Sequence, residues 1–226
     1  MKDVPYSNCV GSLMYAMVST RPDLAYGVGL MSRFMSKPSP NHWQAAKWLF
    51  RYLKGTTGLK LVYSQSATKC PKVVGYCDSD YATDLDKRRS IAGYVFTFGG
   101  NTVSWKSGLQ HVVALSTTKA KYIYFIEAIK EGLWLKVFVS ELGFNQVTIE
   151  IHCDSQSAIQ LSKNSVFHER MKHIDVKLHF VRDVIASNQV EVQKIATEVN
   201  PADMLTKVIP LGKFENALNL LKVLEK

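Results

Sequence analysis

Residues 73–80, Val73-Val74-Gly75-Tyr76-Cys77-Asp78-Ser79-Asp80, join an apolar, strand-like run to acidic residues at its end. The pattern returns at Val147-Thr148-Ile149-Glu150-Ile151-His152-Cys153-Asp154, where apolar and polar residues alternate and Asp154 falls on the polar side. Such alternation is typical of a half-buried strand. Both stretches therefore predict a strand that delivers an aspartate, Asp78 or Asp154, at its carboxyl end.

A third aspartate lies in Pro201-Ala202-Asp203-Met204-Leu205-Thr206-Lys207. Proline is favoured at the first position of a helix, so Asn200-Pro201 predicts the start of a short helix that carries Asp203. A right-handed crossover between the two strands would bring Asp78 and Asp154 side by side. A cluster of carboxylates can hold two divalent metal ions over a phosphodiester, which makes these three aspartates the candidate metal ligands.

The rest of the chain predicts an α/β fold, with a mixed five-stranded sheet flanked by helices behind a helical amino-terminal extension. Further predicted helices cover 7–17, 24–35, 41–55, 116–142, 155–163, 173–186 and 213–224, with Asp23 and Asn41 as caps of the second and third. Predicted strands cover 72–77, 91–98, 102–106, 147–154 and 190–195, with a hairpin turn at Gly99-Gly100-Asn101. The predicted boundaries are an extension at 1–66, a central domain at 72–207 and a carboxyl-terminal helix at 208–226.

Composition argues against several classes of protein. With 226 residues, 46% of them hydrophobic, the chain can bury one substantial core. No secretory signal is visible and the apolar stretch 11–18 is too short to span a bilayer, so we expect a cytoplasmic or nuclear protein that is not secreted. The cysteines show no Cys-x-x-Cys spacing, and Cys77 and Cys153 are expected as reduced thiols in the core. The net charge of +9 suits a polyanionic partner.

A set of ordered motifs resembles the ribonuclease H domain of copia-type retrotransposon polyproteins, especially those of plants. Residues 72–207 carry the resemblance in Tyr76-Cys77-Asp78-Ser79-Asp80, Arg88-Arg89-Ser90, Gly93-Tyr94-Val95-Phe96, Val113-Ala114-Leu115-Ser116, Cys153-Asp154-Ser155-Gln156-Ser157-Ala158, Lys172-His173-Ile174-Asp175-Val176 and Ala202-Asp203-Met204-Leu205-Thr206-Lys207. Residues 1–66 resemble the end of the preceding reverse transcriptase region, in Val10-Gly11-Ser12-Leu13-Met14-Tyr15, Thr20-Arg21-Pro22-Asp23 and Arg51-Tyr52-Leu53-Lys54-Gly55-Thr56. The resemblance implies a carboxyl-terminal fragment of such a polyprotein. No Tyr-x-Asp-Asp string is present, so no polymerase activity is expected.

The resemblance also implies a chemistry, the cleavage of RNA in RNA–DNA hybrids with two magnesium ions. Asp78, Asp154 and Asp203 match three of the family's four metal-binding carboxylates. The fourth is a glutamate near the start of the long helix, in a Ser-Thr-Glu-Ala-Glu-Tyr string. This chain has Thr117-Thr118-Lys119-Ala120-Lys121-Tyr122 there, and Lys121 takes the place of the catalytic glutamate.

An ammonium group in the cluster removes a ligand and competes with metal ions for the aspartates. We therefore expect Lys121 to point at Asp78 and Asp154, magnesium to bind weakly and the site to be catalytically defective. Glu127 and Glu131, on the same helix, project away from the direction of Lys121 and do not replace the missing carboxylate. Two alternatives remain open: a non-catalytic module that binds nucleic acid or protein, and a surviving nuclease that uses three aspartates.

Basic residues give a second set of candidates, for binding an RNA–DNA hybrid or another nucleic acid. They are Lys87, Arg88, Arg89, Arg170, Lys172 and His173. The first three also fit a solvated loop, and His173 fits a helix cap or a packed ring equally well. Trp105 and Trp134 are expected in the core and not as platforms for stacking bases.

Overall fold

The computed structural model of the chain describes residues 1, 3–65, 70–163 and 175–225. Its helices are α1 (Tyr6–Ser19), α2 (Ala25–Ser32), α3 (Pro40–Gly55), α4 (Thr117–Glu141), α5 (Gln156–Lys163), α6 (Asp175–Ala186) and α7 (Leu211–Leu220). Its strands are β1 (Leu59–Leu61), β2 (Val73–Asp80), β3 (Ile91–Phe98), β4 (Asn101–Leu109), β5 (Ile149–Cys153), β6 (Val190–Lys194) and β7 (Val223–Glu225). Short 3-10 turns lie at Pro22–Leu24, Thr197–Val199 and Pro201–Leu205.

A mixed five-stranded sheet in the order β4-β3-β2-β5-β6 forms the centre of the fold. β2 pairs antiparallel with β3 and parallel with β5, and Cys77 lies directly opposite Cys153 in the parallel pair. Because the next residues are Asp78 and Asp154, both aspartates lie at the carboxyl-terminal ends of neighbouring parallel strands. The predicted α/β fold, with its five-stranded mixed sheet and helical extension, is confirmed.

The main core lies between the sheet and α4. Tyr122, Phe125, Ile126 and Ile129 of α4 are buried against the sheet, with the predicted thiols Cys77 and Cys153 in the same cluster. Phe96 fills the space left by two glycines, because an added Cβ would come within 2.4 Å of its ring at Gly75 and 3.2 Å at Gly132. This close packing fixes the direction of α4, and with it the place of Lys121 at the amino-terminal end of that helix.

The extension packs on the other face of the sheet. The Trp105 indole donates a hydrogen bond to the Met17 carbonyl at 3.0 Å, and Ala25 shares a buried cluster with Val95, Met204 and Leu205. Residues beside Asp203 therefore pack directly against the extension.

An antiparallel pair of β1 and β7 joins the extension to the end of the chain. The predicted helix over 213–224 is wrong in its last turn. Lys222 has a φ of +54°, which breaks the helix after Leu220 and lets 223–225 run as a strand.

Two predicted helix caps are also wrong. Asp23 is buried in an ion pair with Arg21 at 2.7 Å and accepts a hydrogen bond from the Tyr52 hydroxyl at 2.8 Å. α3 begins at Pro40, one residue before the predicted Asn41, because Ser39 is its cap and donates its backbone N–H to His42 Nδ1 at 3.0 Å. Within the residues that the structure describes, no helix is both long and apolar enough to cross a membrane.

Candidate active site

The three predicted aspartates meet at the end of the sheet where β2 and β5 finish. Asp78 lies near the end of β2, Asp154 directly follows β5, and Asp203 lies in the 3-10 turn Pro201–Leu205. All three are buried, and one carboxylate oxygen from each lies within 4.8 Å of the others. The fold thus assembles a cluster of carboxylates from three separate parts of the chain.

Hydrogen bonds fix the turn that carries Asp203. The Asn200 side chain accepts from the backbone N–H of Ala202 and donates to the Cys77 carbonyl, each at 3.1 Å. The Thr206 hydroxyl donates to Asp78 Oδ2 at 2.6 Å. These contacts hold the turn against β2 and explain why the Asn-Pro start precedes a buried carboxylate.

Lys121 enters the cluster from the first turns of α4. Its Nζ lies 2.5 Å from Asp154 Oδ1 and 3.2 Å from Asp78 Oδ1, so the expected contact with both aspartates is present. The helix start is capped by Ser116, whose hydroxyl accepts the Lys119 backbone N–H at 3.1 Å. Burial lowers the pKa of Lys121, but the two carboxylates outweigh burial and hold it above its ordinary value.

Two further lysines reach the cluster, and the sequence pattern did not indicate either. Lys207 Nζ lies 3.2 Å from Asp78 Oδ2 and 3.1 Å from Asp203 Oδ2, and Lys213 Nζ lies 2.5 Å from Asp203 Oδ2. The spacing of four between Asp203 and Lys207 was a usable signal, since such pairs meet within one helical turn. Lys213 comes from α7 and had no short-range signal. Three ammonium groups thus balance three carboxylates.

The carboxyl groups respond differently to this balance. Burial raises the pKa of Asp78, but Lys121 and Lys207, with the Thr206 hydrogen bond, lower it to about 2. Burial and the nearby charge of Asp78 raise the pKa of Asp203 above its ordinary value despite contacts with Lys213 and Lys207. At Asp203, burial and the charge of Asp78 together outweigh the two lysines, whereas at Asp78 the two lysines and Thr206 outweigh burial.

Two glutamates of α4, Glu127 and Glu131, stay outside the cluster, as expected. Glu127 accepts from Lys130 at 3.0 Å on the surface, and Glu131 accepts from the Ser104 hydroxyl at 2.6 Å. Asp154 Oδ2 accepts from the Thr197 hydroxyl at 3.2 Å, and the Lys194 ammonium group donates to the Asp154 backbone carbonyl. Glu127 and Glu131 therefore supply no carboxylate to the cluster.

The candidate nucleic-acid contacts are only partly described. The basic residues Lys87, Arg88 and Arg89 lie in the loop that follows β2, at the same end of that strand as Asp78. Lys87 and Arg88 are exposed and Arg89 is half-buried. Arg170, Lys172 and His173 fall outside the described residues.

The two tryptophans expected in the core differ in their surroundings. Trp105 is half-buried against the extension. The expectation that Trp134 lies in the core is wrong, because this side chain is 59% exposed on the outer face of α4. α4 is apolar around most of its circumference, so periodicity could not identify the face that packs on the sheet.

Comparison with known proteins gives sequence matches to transposon polyproteins, while no family model matches the chain. A retrovirus-related Pol polyprotein from transposon TNT 1-94 of Nicotiana tabacum is 55% identical over 95% of the chain, which covers 16% of that polyprotein. A protein named secreted RxLR effector protein 161, from Plasmopara viticola, is 49% identical over 61% of the chain and 95% of its own length.

Among solved structures, LC11-RNase H1 in complex with an RNA/DNA hybrid superposes on 60% of the chain with a TM-score of 0.45 and 19% identity, covering 94% of that protein. By its sequence, the chain belongs with the retrovirus-related Pol polyproteins from transposons, and it spans about a sixth of the length of the polyprotein that it matches at 55% identity.

Proposed function

We propose that this segment carries a ribonuclease H-type site, derived from an endonuclease that cuts RNA in RNA–DNA hybrids, in a form that no longer cleaves. Two observations support this derivation: the chain matches Pol polyproteins from transposons, and Asp78, Asp154 and Asp203 meet at the end of strands β2 and β5. The position of Lys121 supports the loss of activity. Its ammonium group lies in direct contact with two of the three aspartates.

The charges of the site argue against a pair of divalent ions. In two-metal sites, cations about 3.5–4 Å apart share carboxylates and stabilise the attacking and leaving oxygens of phosphodiester hydrolysis. Here each aspartate already contacts at least one ammonium group, and the fourth carboxylate is absent. The residues present therefore do not fit two magnesium ions.

Binding of nucleic acid does not need those ions, and the surface charge favours it. The net charge of +9 attracts polyanions, and the basic loop at 87–89 lies at the end of the sheet where the aspartates meet. Lys121, Lys207 and Lys213 keep 19–30% of their side-chain surface exposed. A non-catalytic module that binds an RNA–DNA hybrid is thus the activity we propose, with protein binding as the alternative.

Cleavage and binding of a labelled hybrid test the proposal. We expect no magnesium-dependent cleavage by the unaltered chain and clear binding at low salt, with or without magnesium. Robust cleavage that Asp78→Asn abolishes would overturn the proposed defect. If the hybrid fails to bind at about 50 mM salt, the protein-binding alternative is favoured.

A further inference from the structure

The outer face of α4 carries a stripe of exposed apolar residues. Trp134 and Val137 are each 59% exposed and Phe138 is 46% exposed, where a solvent-facing helix normally carries polar residues. The rings of Trp134 and Phe138 are stacked, with centroids 5.5 Å apart and an angle of 8° between their planes. Large, preorganised apolar patches of this kind mark interaction sites.

Two charged residues flank the patch on the same side of the helix. At about 100° per residue, Lys130 and Glu141 project within about 20° of each other, at opposite ends of the patch. Lys130, Trp134, Val137, Phe138 and Glu141 together are called the outer stripe of α4. Within the chain, Lys130 contacts Glu127 at 3.0 Å, an exposed pair of the kind that contributes little to stability.

The apolar surface continues beyond the helix. A cavity of about 490 Å³ lies between α4 and the segment before β5, and Val137, Glu141 and Val147 are among its lining residues. The Lys136 ammonium group donates to the Val147 carbonyl at 2.5 Å and holds this segment against the helix. With the exposed Leu142, four residues beyond Phe138, the apolar area is on the order of 600 Å², close to the ~800 Å² that each partner buries in a standard interface.

We propose that this surface binds a second copy of the chain, with the two α4 helices antiparallel about a two-fold axis. In a two-fold interface each surface must complement itself. An axis midway along the outer stripe places Lys130 of each copy opposite Glu141 of the other. The same axis sets Trp134 opposite Val137, again twice. A positive and a negative end separated by an apolar centre is the pattern that such an arrangement requires.

Sedimentation of the full chain between about 1 and 200 µM, at about 50 mM salt, tests the dimer. We expect a monomer–dimer equilibrium that Val137→Glu weakens at least about tenfold, because the new carboxylate is buried against Trp134. Val18→Glu is the matched control, since Val18 of α1 is 67% exposed but lies outside the stripe. A monomer at every concentration, or a dimer that Val137→Glu leaves unchanged, would overturn the proposal.

Charge exchange tests the antiparallel pairing itself. Glu141→Lys places two lysines opposite each other twice per dimer and should raise the dissociation constant about three- to tenfold. The double variant Lys130→Glu, Glu141→Lys should return it to within about twofold of the unaltered chain. Failure of this recovery contradicts the pairing and with it the proposed dimer.

A chemical cross-link gives an independent reading. The two residues are 11 positions apart, about 16 Å along the helix, so a zero-length carbodiimide cannot join them within one chain. Mass spectrometry should detect a Lys130–Glu141 cross-link only in the dimer. Cross-linked dimers that lack this product would show that another surface mediates association.

Discussion

Replacing Lys121 by glutamate puts a carboxylate at the point where the structure has an ammonium group. In the unaltered chain, Lys121, Lys207 and Thr206 lower the pKa of Asp78 from 3.8 to about 2. This lowering corresponds to roughly 2.5 kcal/mol of folding stability at neutral pH. Asp78 is almost fully buried, so solvent screens this contribution little. Lys121→Glu removes the cation that contacts the Asp154 carboxylate and adds a fourth acidic group.

Without metal, we therefore expect Lys121→Glu to lower the free energy of unfolding by about 2–3 kcal/mol. Magnesium should reverse part of this loss, because four carboxylates then share its charge. A dissociation constant of about 1 mM would give a stabilisation of about 1.4 kcal/mol at 10 mM magnesium. Urea unfolding with and without magnesium measures both effects. The unaltered chain should show no magnesium-dependent gain.

Cleavage of a labelled hybrid provides the second readout. A loss of about 4 kcal/mol of transition-state stabilisation slows a reaction about a thousandfold, so even partial recovery in Lys121→Glu is measurable. Lys119→Glu is the matched control, two residues away on the same helix. It completes a capping box with Ser116 and should stabilise the helix start without magnesium dependence. Equal magnesium responses in the unaltered chain and Lys121→Glu would refute the reasoning.

Three further predictions follow from the charges and the packing. The Asp78 carboxylate contributes stability that is present above its ordinary pKa and is lost as pH falls through about 2. Lys121, whose pKa is raised, contributes stability below its ordinary pKa that is lost only as pH rises through the raised value. The free energy of unfolding, measured with urea, should thus lose the Asp78 contribution below about pH 4, and Lys121→Met should flatten this acid decline. Hybrid affinity should fall steeply with salt, and Lys87→Ala and Arg88→Ala should each reduce the slope by about one; a flat salt response contradicts an electrostatic mode. Amides of α1–α3 should exchange hydrogen faster than those of β2 and β3, because the extension leaves large apolar side chains exposed, and equal protection would count against this.

Much of the fold could be predicted because the signals are local. The strand Ile91–Phe98 has the predicted bounds, and α4 begins one residue after its predicted start because Ser116 is its cap. The aspartates could be predicted for the same reason, since each one ends or interrupts a short element with a clear pattern. Trp134 could not be placed, because α4 is apolar on nearly every side. The pairing of β1 with β7 joins residues more than 150 positions apart, and short-range patterns carry no record of it.

The geometry of the cluster explains why one residue can decide its chemistry. Lys207 and Lys213 both contact Asp203 through Oδ2, and Lys207 contacts Asp78 through Oδ2 as well. Asp203 Oδ1 is buried without a hydrogen-bond partner among the described residues. On the Oδ1 side of Asp78 and Asp154 the cation in contact is Lys121. Lys207 and Lys213 thus contact the cluster through Oδ2 atoms, whereas Lys121 contacts Asp78 and Asp154 through their Oδ1 atoms. Substitution of Lys121 by glutamate should consequently change metal binding, because it converts the cation that contacts two of the aspartates into a carboxylate ligand.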